Sequence, residues 1–247
     1  KLKSKNPNLN AFLDDVRKFT EEEYMPALFK GTRLDPGAQA LMAEKLSSYT
    51  GVSKSYWMKA NLRVKANEFF NELLREEGMT VGRLDSRFIG INENLLNQSS
   101  TTDPQSDAIS PAYTAGFLDY LHRDLGVSKK LQYKTSAYAA KDFKWDWNHK
   151  GNEGWGTQAA INTGIDMADA MNRDPNVKVL IMNGLYDLAT VFYGVEHSID
   201  HLRLRPEVRK NIIMTYYEAG HMMYTQLPSL QKFKKDLTDF IKDTSVN

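Results

Sequence analysis

The sequence predicts an α/β protein in which a block of short helices precedes a parallel, right-handed alternation of strands and helices. Three observations predict it. From residue 131 onward, apolar and amphipathic runs follow one another as strand, helix, strand, helix, strand, helix. The first 80 residues carry apolar side chains at helical spacings and no convincing strand pattern. The last two strand-like runs each end in a turn bearing chemistry: 177–182 leads into Asn183-Gly-Leu-Tyr-Asp187, and 212–217 leads into Glu218-Ala-Gly-His221. Ligands and reacting groups of open α/β sheets gather outside the carboxyl ends of the strands.

The elements follow in order. Residues 1–10 are polar, with Asn6-Pro7-Asn8, and read as a lead-in loop. Phe12, Val16, Phe19 and Tyr24 predict a helix over 11–30. Asp35 and Pro36 supply the N-cap and first position of the next helix, Ala40, Leu41, Ala43, Leu46 and Tyr49 its apolar face, and Gly51 its close. Ser53 caps a short helix with Tyr56 and Trp57; another over 67–77 carries Phe69, Phe70, Leu73 and Leu74 and stops at Gly78. Residues 81–90 read as a short hairpin or extended segment, and 92–111 as a polar loop of functional length. Ser110-Pro111 starts a helix with Tyr113, Phe117, Leu118 and Leu121 that Gly126 ends. Alternation over Leu131–Tyr138 predicts the first core strand. An aromatic loop over 144–148 precedes a helix over 158–172, and the strand over 177–182 is followed by a helix over 193–204. The strand over 212–217 completes the alternation, and Pro228 opens a last helix with Leu230, Phe233, Leu237, Phe240 and Ile241.

Bulk properties exclude several classes. A hydrophobic share of 41% with 26% charged residues is that of an ordinary soluble domain. A formal net charge of +1 without basic clusters gives no surface for nucleic acid or an anionic membrane. The absence of cysteine removes disulfides, thiolate metal sites and a cysteine nucleophile. No apolar run approaches the roughly 20 residues of a membrane helix. The chain starts at Lys1 rather than Met, so the expectation is a protein processed upstream and periplasmic or secreted. Three strands are too few for such a fold, so further strands are also expected upstream.

The chemistry centres on Asp187 and His221, separated by one helix and one strand. That topology brings both turns to one sheet edge, in the acid-then-histidine order of a Ser…Asp…His triad. A histidine after a strand-end glycine also suits a packed turn satisfied by backbone, and an Asp after a glycine is common in turns. No G-x-S-x-G occurs in the chain. His197 and His201 have a metal-ligand spacing but lack the Glu of H-E-x-x-H and a third ligand, so no metal and no cofactor is expected. Trp145, Trp147 and Trp155 would line a pocket or plug a loop junction. Gly151, Gly154 and Gly156 lack the preceding strand of a phosphate-binding motif.

Asn183-Gly-Leu-Tyr-Asp187 and Tyr216-Tyr-Glu-Ala-Gly-His-Met-Met-Tyr224 resemble the C-terminal half of serine carboxypeptidases, in particular their bacterial branch. Tyr49-Thr-Gly51, Asn61-Leu-Arg63, Val81-Gly-Arg-Leu-Asp85 and the Trp145-Asp-Trp147 loop are similar to that branch as well. The resemblance implies the C-terminal part of an α/β-hydrolase fold, with a helical cap over 1–126, core over 127–247, and the nucleophile-bearing half outside this chain. It implies release of C-terminal residues from peptide substrates through an acyl-enzyme, with Asp187 as triad acid, His221 as triad base and Met222 on the leaving-group side of the pocket. The serine would come from a preceding segment or from the N-terminal half as a companion chain. An esterase or aminopeptidase on the same scaffold, or a catalytically inactive binding fragment, are the alternatives.

Overall fold

Contacts divide the chain into two units, residues 1–81 with 89–101 and residues 82–88 with 102–247. The boundary expected between 126 and 127 therefore falls inside the second unit. The computed structural model describes residues 8–99, 102–139, 141–149 and 161–244. Trp155, the glycines at 151, 154 and 156, and the expected helix start at 158 lie outside the described residues. The architecture is mixed α/β and mostly helical.

The first unit is built by local signals. Helix α1 (Leu9–Phe19) runs through one π-helical turn (Thr20–Tyr24) into α2 (Met25–Lys30). Helix α3 (Pro36–Thr50) starts where Asp35 accepts the Ala38 amide, and ends at Gly51 with φ 83°. Ser53 accepts the Tyr56 amide to start α4 (Lys54–Lys59), and α5 (Ala66–Glu72) leads through a 3-10 turn to Gly78. Phe19, Ala27, Met42, Ala43, Leu46, Val52, Trp57 and Leu62 form its buried core. The hairpin is present: β1 (Met79–Val81) pairs antiparallel with β2 (Ile89–Ile91).

In the second unit α6 spans Pro104–Arg123. It begins well before the expected start at Ser110, because Asp103 accepts the Ser106 amide and Pro104 fills the first turn. Pro111 lies inside it, and the polar loop is shorter for the same reason. The strand expected over Leu131–Tyr138 is not formed. Leu131, Tyr133 and Tyr138 are exposed, and no strand pairs with this stretch among the described residues. Alternation without a ladder partner leaves the backbone N–H and C=O groups to water and gives no strand.

Helix α7 (Gly164–Arg173) precedes β3 (Val179–Gly184), set two residues later than the expected 177–182. Helix α8 (Phe192–Asp200) is shorter than expected; Leu202 and Leu204 lie beyond it and still pack against the core. After α9 (Pro206–Arg209), β4 (Ile212–Tyr217) pairs in parallel with β3, from Val179 opposite Ile212 to Gly184 opposite Tyr217. Side chains alternate across this sheet. Val179, Ile181, Ile212 and Met214 pack with Met171, Ile199 and Val208, while Met182 and Tyr217 pack with Phe233 of α10 (Leu227–Thr244). Helices thus cover both faces, as a parallel pair requires.

On the α10 side, Tyr217 donates its hydroxyl to Asp236 at 2.8 Å, and Lys232 bonds the same carboxylate at 2.6 Å. Burial pushes the Tyr217 phenol up to about 12. Burial also pushes the Asp236 carboxyl up, but the hydrogen bonds from Lys232 and Tyr217 outweigh it and hold the group below its ordinary value.

Candidate active site

Both expected turns lie at the same end of the β3–β4 pair. Leu185 N–H donates to the Tyr217 carbonyl at 2.9 Å, and Tyr186 N–H to the Ala219 carbonyl at 3.0 Å, so the ladder continues past the strands and ties one turn to the other. Glycine is required at this junction. A Cβ on Gly184 would stand 2.2 Å from the Gly220 carbonyl oxygen, and a Cβ on Gly220 would stand 2.2 Å from the Leu84 carbonyl oxygen. Both obstacles are backbone, which cannot swing aside.

Asp187 is buried, and His221 reaches it from the other turn. The imidazole Nδ1 lies 2.9 Å from Asp187 Oδ2. The second carboxylate oxygen, Oδ1, accepts the Ala189 amide at 2.7 Å and the Thr190 amide at 2.9 Å. The carboxylate is therefore held from both sides. An ionised carboxylate only accepts, so Nδ1 carries the proton and Nε2 is the basic nitrogen of the neutral ring. The His221 side chain is 45% exposed against 6% for Asp187, and Nε2 has no hydrogen-bond partner among the described residues. The pair can do what an acid-held imidazole does: take a proton at Nε2 while the carboxylate stabilises the imidazolium.

No family model, curated protein or solved structure matches this chain.

The third contributor is the segment over 82–88, which the sequence marked as hairpin or extended chain and, up to Asp85, as part of the resemblance, without linking it to either turn. It contacts both turns. Ser86 N–H donates to the Tyr186 carbonyl at 3.0 Å, and Leu188 N–H to the Arg83 carbonyl at 3.0 Å. His221 N–H donates to the Leu84 carbonyl at 2.6 Å, and Gly220 N–H to Asp85 Oδ2 at 2.9 Å. Asp103 caps this segment too, accepting the Arg83 and Leu84 amides. Asp85 is 1% exposed, and Arg87 meets both its oxygens, Nε to Oδ1 at 2.9 Å and Nη2 to Oδ2 at 2.6 Å. The remaining guanidinium nitrogen donates to the Glu218 carbonyl at 2.8 Å, and the group lies 4.6 Å over the Tyr186 ring. The hydrogen bonds that Arg87 donates to Asp85 raise its pKa above the ordinary value. Breaking such a pair from one side leaves an uncompensated buried charge, a loss of about 3–5 kcal/mol when fully buried and less here, where Arg87 is partly exposed. A signal was available in the sequence: an Asp-x-Arg pair in a glycine-led turn between two short apolar runs. Nothing local said that its partner was a turn far along the chain.

The remaining site expectations sort plainly. Met222 follows His221 and is half-buried; Met223, next along, is the one in the core. His197 and His201 stack on each other with centroids 4.0 Å apart, and His201 Nδ1 bonds the His197 carbonyl. Among the described residues no group of three or more His, Asp or Glu could hold a metal ion. Trp145 and Trp147 are exposed neighbours in an aromatic string with Tyr138 and Phe143, not the lining of a described pocket. No helix of the described residues is long and apolar enough to cross a membrane.

Proposed function

We propose that Asp187 and His221 are the acid and base of a serine hydrolase that releases C-terminal residues from peptides, in the C-terminal portion of an α/β-hydrolase fold. The observation that carries the reading is the bond from His221 Nδ1 to a buried, doubly held carboxylate, with Nε2 free of protein partners among the described residues. In the reaction, Nε2 takes the proton of a serine hydroxyl as its oxygen attacks the scissile carbonyl. The proton then passes to the departing amino acid as the C–N bond breaks and the acyl-enzyme forms. Water, deprotonated at the same nitrogen, hydrolyses the ester. The preference for peptide C-termini rests on the resemblance of 183–187 and 216–224 to serine carboxypeptidases, which also gives Met222 a place beside the leaving group.

The nucleophile is proposed to come from a segment preceding residue 1 or from a companion chain. In support, the chain has no G-x-S-x-G, and no serine hydroxyl bonds to His221 among the described residues. Ser86 lies in the loop that contacts both turns, and it is its amide that bonds the acid turn.

The test is intact mass spectrometry of the protein as its gene encodes it, after exposure to a fluorophosphonate. One adduct is expected, on a serine outside residues 1–247. His221→Ala should slow its formation by several orders of magnitude, because base and nucleophile act as a unit. An adduct on Ser86, or an undiminished rate in His221→Ala, would refute the assignment.

A further inference from the structure

The segment 82–88 carries neither the acid nor the base, yet it holds the backbone on both sides of them. On the acid side its contacts fall on Tyr186 and Leu188, the two residues flanking Asp187. On the base side they fall on Glu218, Gly220 and His221 itself. Arg87 alone touches both turns, through the Tyr186 ring and the Glu218 carbonyl, and its fork keeps both Asp85 oxygens in place while one of them accepts the Gly220 amide.

We infer that Asp85 and Arg87 are positioning residues that hold the His221 imidazole in register with Asp187, as the Nδ1–H tautomer. The inference rests on the acid–base reading of that pair. The physical reason is the number of fixed points. The His221 side chain is nearly half exposed, so packing does not fix the ring. The Asp187 bond holds it only while the backbone it hangs from stays in place, and that backbone is pinned at Glu218, Gly220 and His221, each by a different group of one tight loop. A reacting constellation must be held within about 0.5 Å to be productive. Arg87 offsets the cost of burying the Asp85 charge, which the Gly220 and Arg87 amides alone would compensate less well. Lysine could not replace Arg87, because an ammonium is a point charge and cannot meet two carboxylate oxygens and a carbonyl in one plane.

The experiment uses the full gene product labelled in its histidine ring nitrogens, with the His221 signals assigned by their loss in His221→Ala. Long-range nitrogen–proton spectra report the His221 tautomer directly, and fluorophosphonate labelling gives a rate. Two variants are compared, Asp85→Asn and Arg87→Lys. In the wild type His221 is expected as a single Nδ1–H tautomer. Both variants should give mixed tautomers and label about 10²-fold more slowly, the scale of a misplacement near 1 Å. Arg87 lies partly at the surface, so Arg87→Lys decides the matter if Asp85→Asn does not fold. Folded variants with an unchanged tautomer overturn the inference, whether or not their labelling slows, since a slower rate at fixed tautomer means the loop acts by another route. If the wild type does not label at all, the hydrolase reading fails, and a tautomer change in the variants still supports the clasp.

Discussion

Two aspartates of this protein perform the same local task in different regions. Asp35 accepts the Ala38 amide and starts α3; Asp85 accepts the Gly220 amide and anchors the histidine turn. The first is exposed and its partner is 3 residues away, whereas the second is buried and its partner is 135 residues away. The helical unit is thus ordered by neighbours in sequence, and its caps, proline starts and glycine stops act one at a time. The site in the second unit is ordered by a set of contacts that exist only once 82–88, 184–190 and 218–221 have met. Losing a cap shortens one helix. Losing one contact in the site disturbs all of its partners, because backbone, carboxylate and guanidinium share atoms.

The sharpest way to break the site is at its closest approach. Gly220→Ala places a Cβ 2.2 Å from the Leu84 carbonyl oxygen, so the histidine turn and the 82–88 loop must separate. The expected result is loss of the His221–Asp187 bond and a fall in fluorophosphonate labelling of at least about 10²-fold. Ala at 220 with wild-type labelling would show that the loop contact is dispensable.

The matching test of the helical unit is Trp57→Ala. Trp57 is 6% exposed within the core of Phe19, Met42 and Leu46, and its indole donates to Thr50 Oγ1 at 3.2 Å. Truncation should cost about 3–5 kcal/mol in urea unfolding. A loss under about 1 kcal/mol would mean that this core is not packed as described.

The same contrast explains which parts were legible in the sequence. Asp35, Pro36, Gly51 and Ser53 each announce a boundary that is present, whereas the helix expected over 67–77 ends at Glu72 and Gly78 closes only the 3-10 turn after it. Asp103-Pro104 repeats the Asp35-Pro36 signal and starts α6. It was hidden by the polar run around it, and Ser110-Pro111 was a weaker version of the same signal. Strand β4 matches its expected limits because its β-branched and aromatic run is bounded on both sides, while β3 slid by two residues into Asn183-Gly184. Alternation misled at Leu131–Tyr138, since a strand is decided by its partner and not by its own pattern. Asp187 and His221 were legible because each follows a strand. Asp85 and Arg87 were not, because their meaning lies in residues more than 130 positions away.

A smaller effect sharpens the comparison on the far face of the sheet. Burial raises the Tyr217 phenol from its ordinary value of 10.0 to about 12 in the folded state. The folded protein therefore binds the proton more tightly than the unfolded chain. The stabilisation is complete below pH 10 and is lost as pH rises towards 12. Urea midpoints should fall across this window in the wild type and fall less in Tyr217→Phe. Parallel slopes would show that the Tyr217 phenol is not held as described.

The most direct measurement of the acid–base pair is the release of the C-terminal residue from N-acyl dipeptides by the full gene product and by its Asp187→Asn variant. Asn keeps the size of the side chain and can still accept the Ala189 and Thr190 amides, but it removes the charge that opposes the imidazolium and frees the ring to take the other tautomer. The expected result is release by the wild type and a loss of about 10⁴-fold in turnover in the variant, without loss of fold. Wild-type turnover in Asp187→Asn would contradict it.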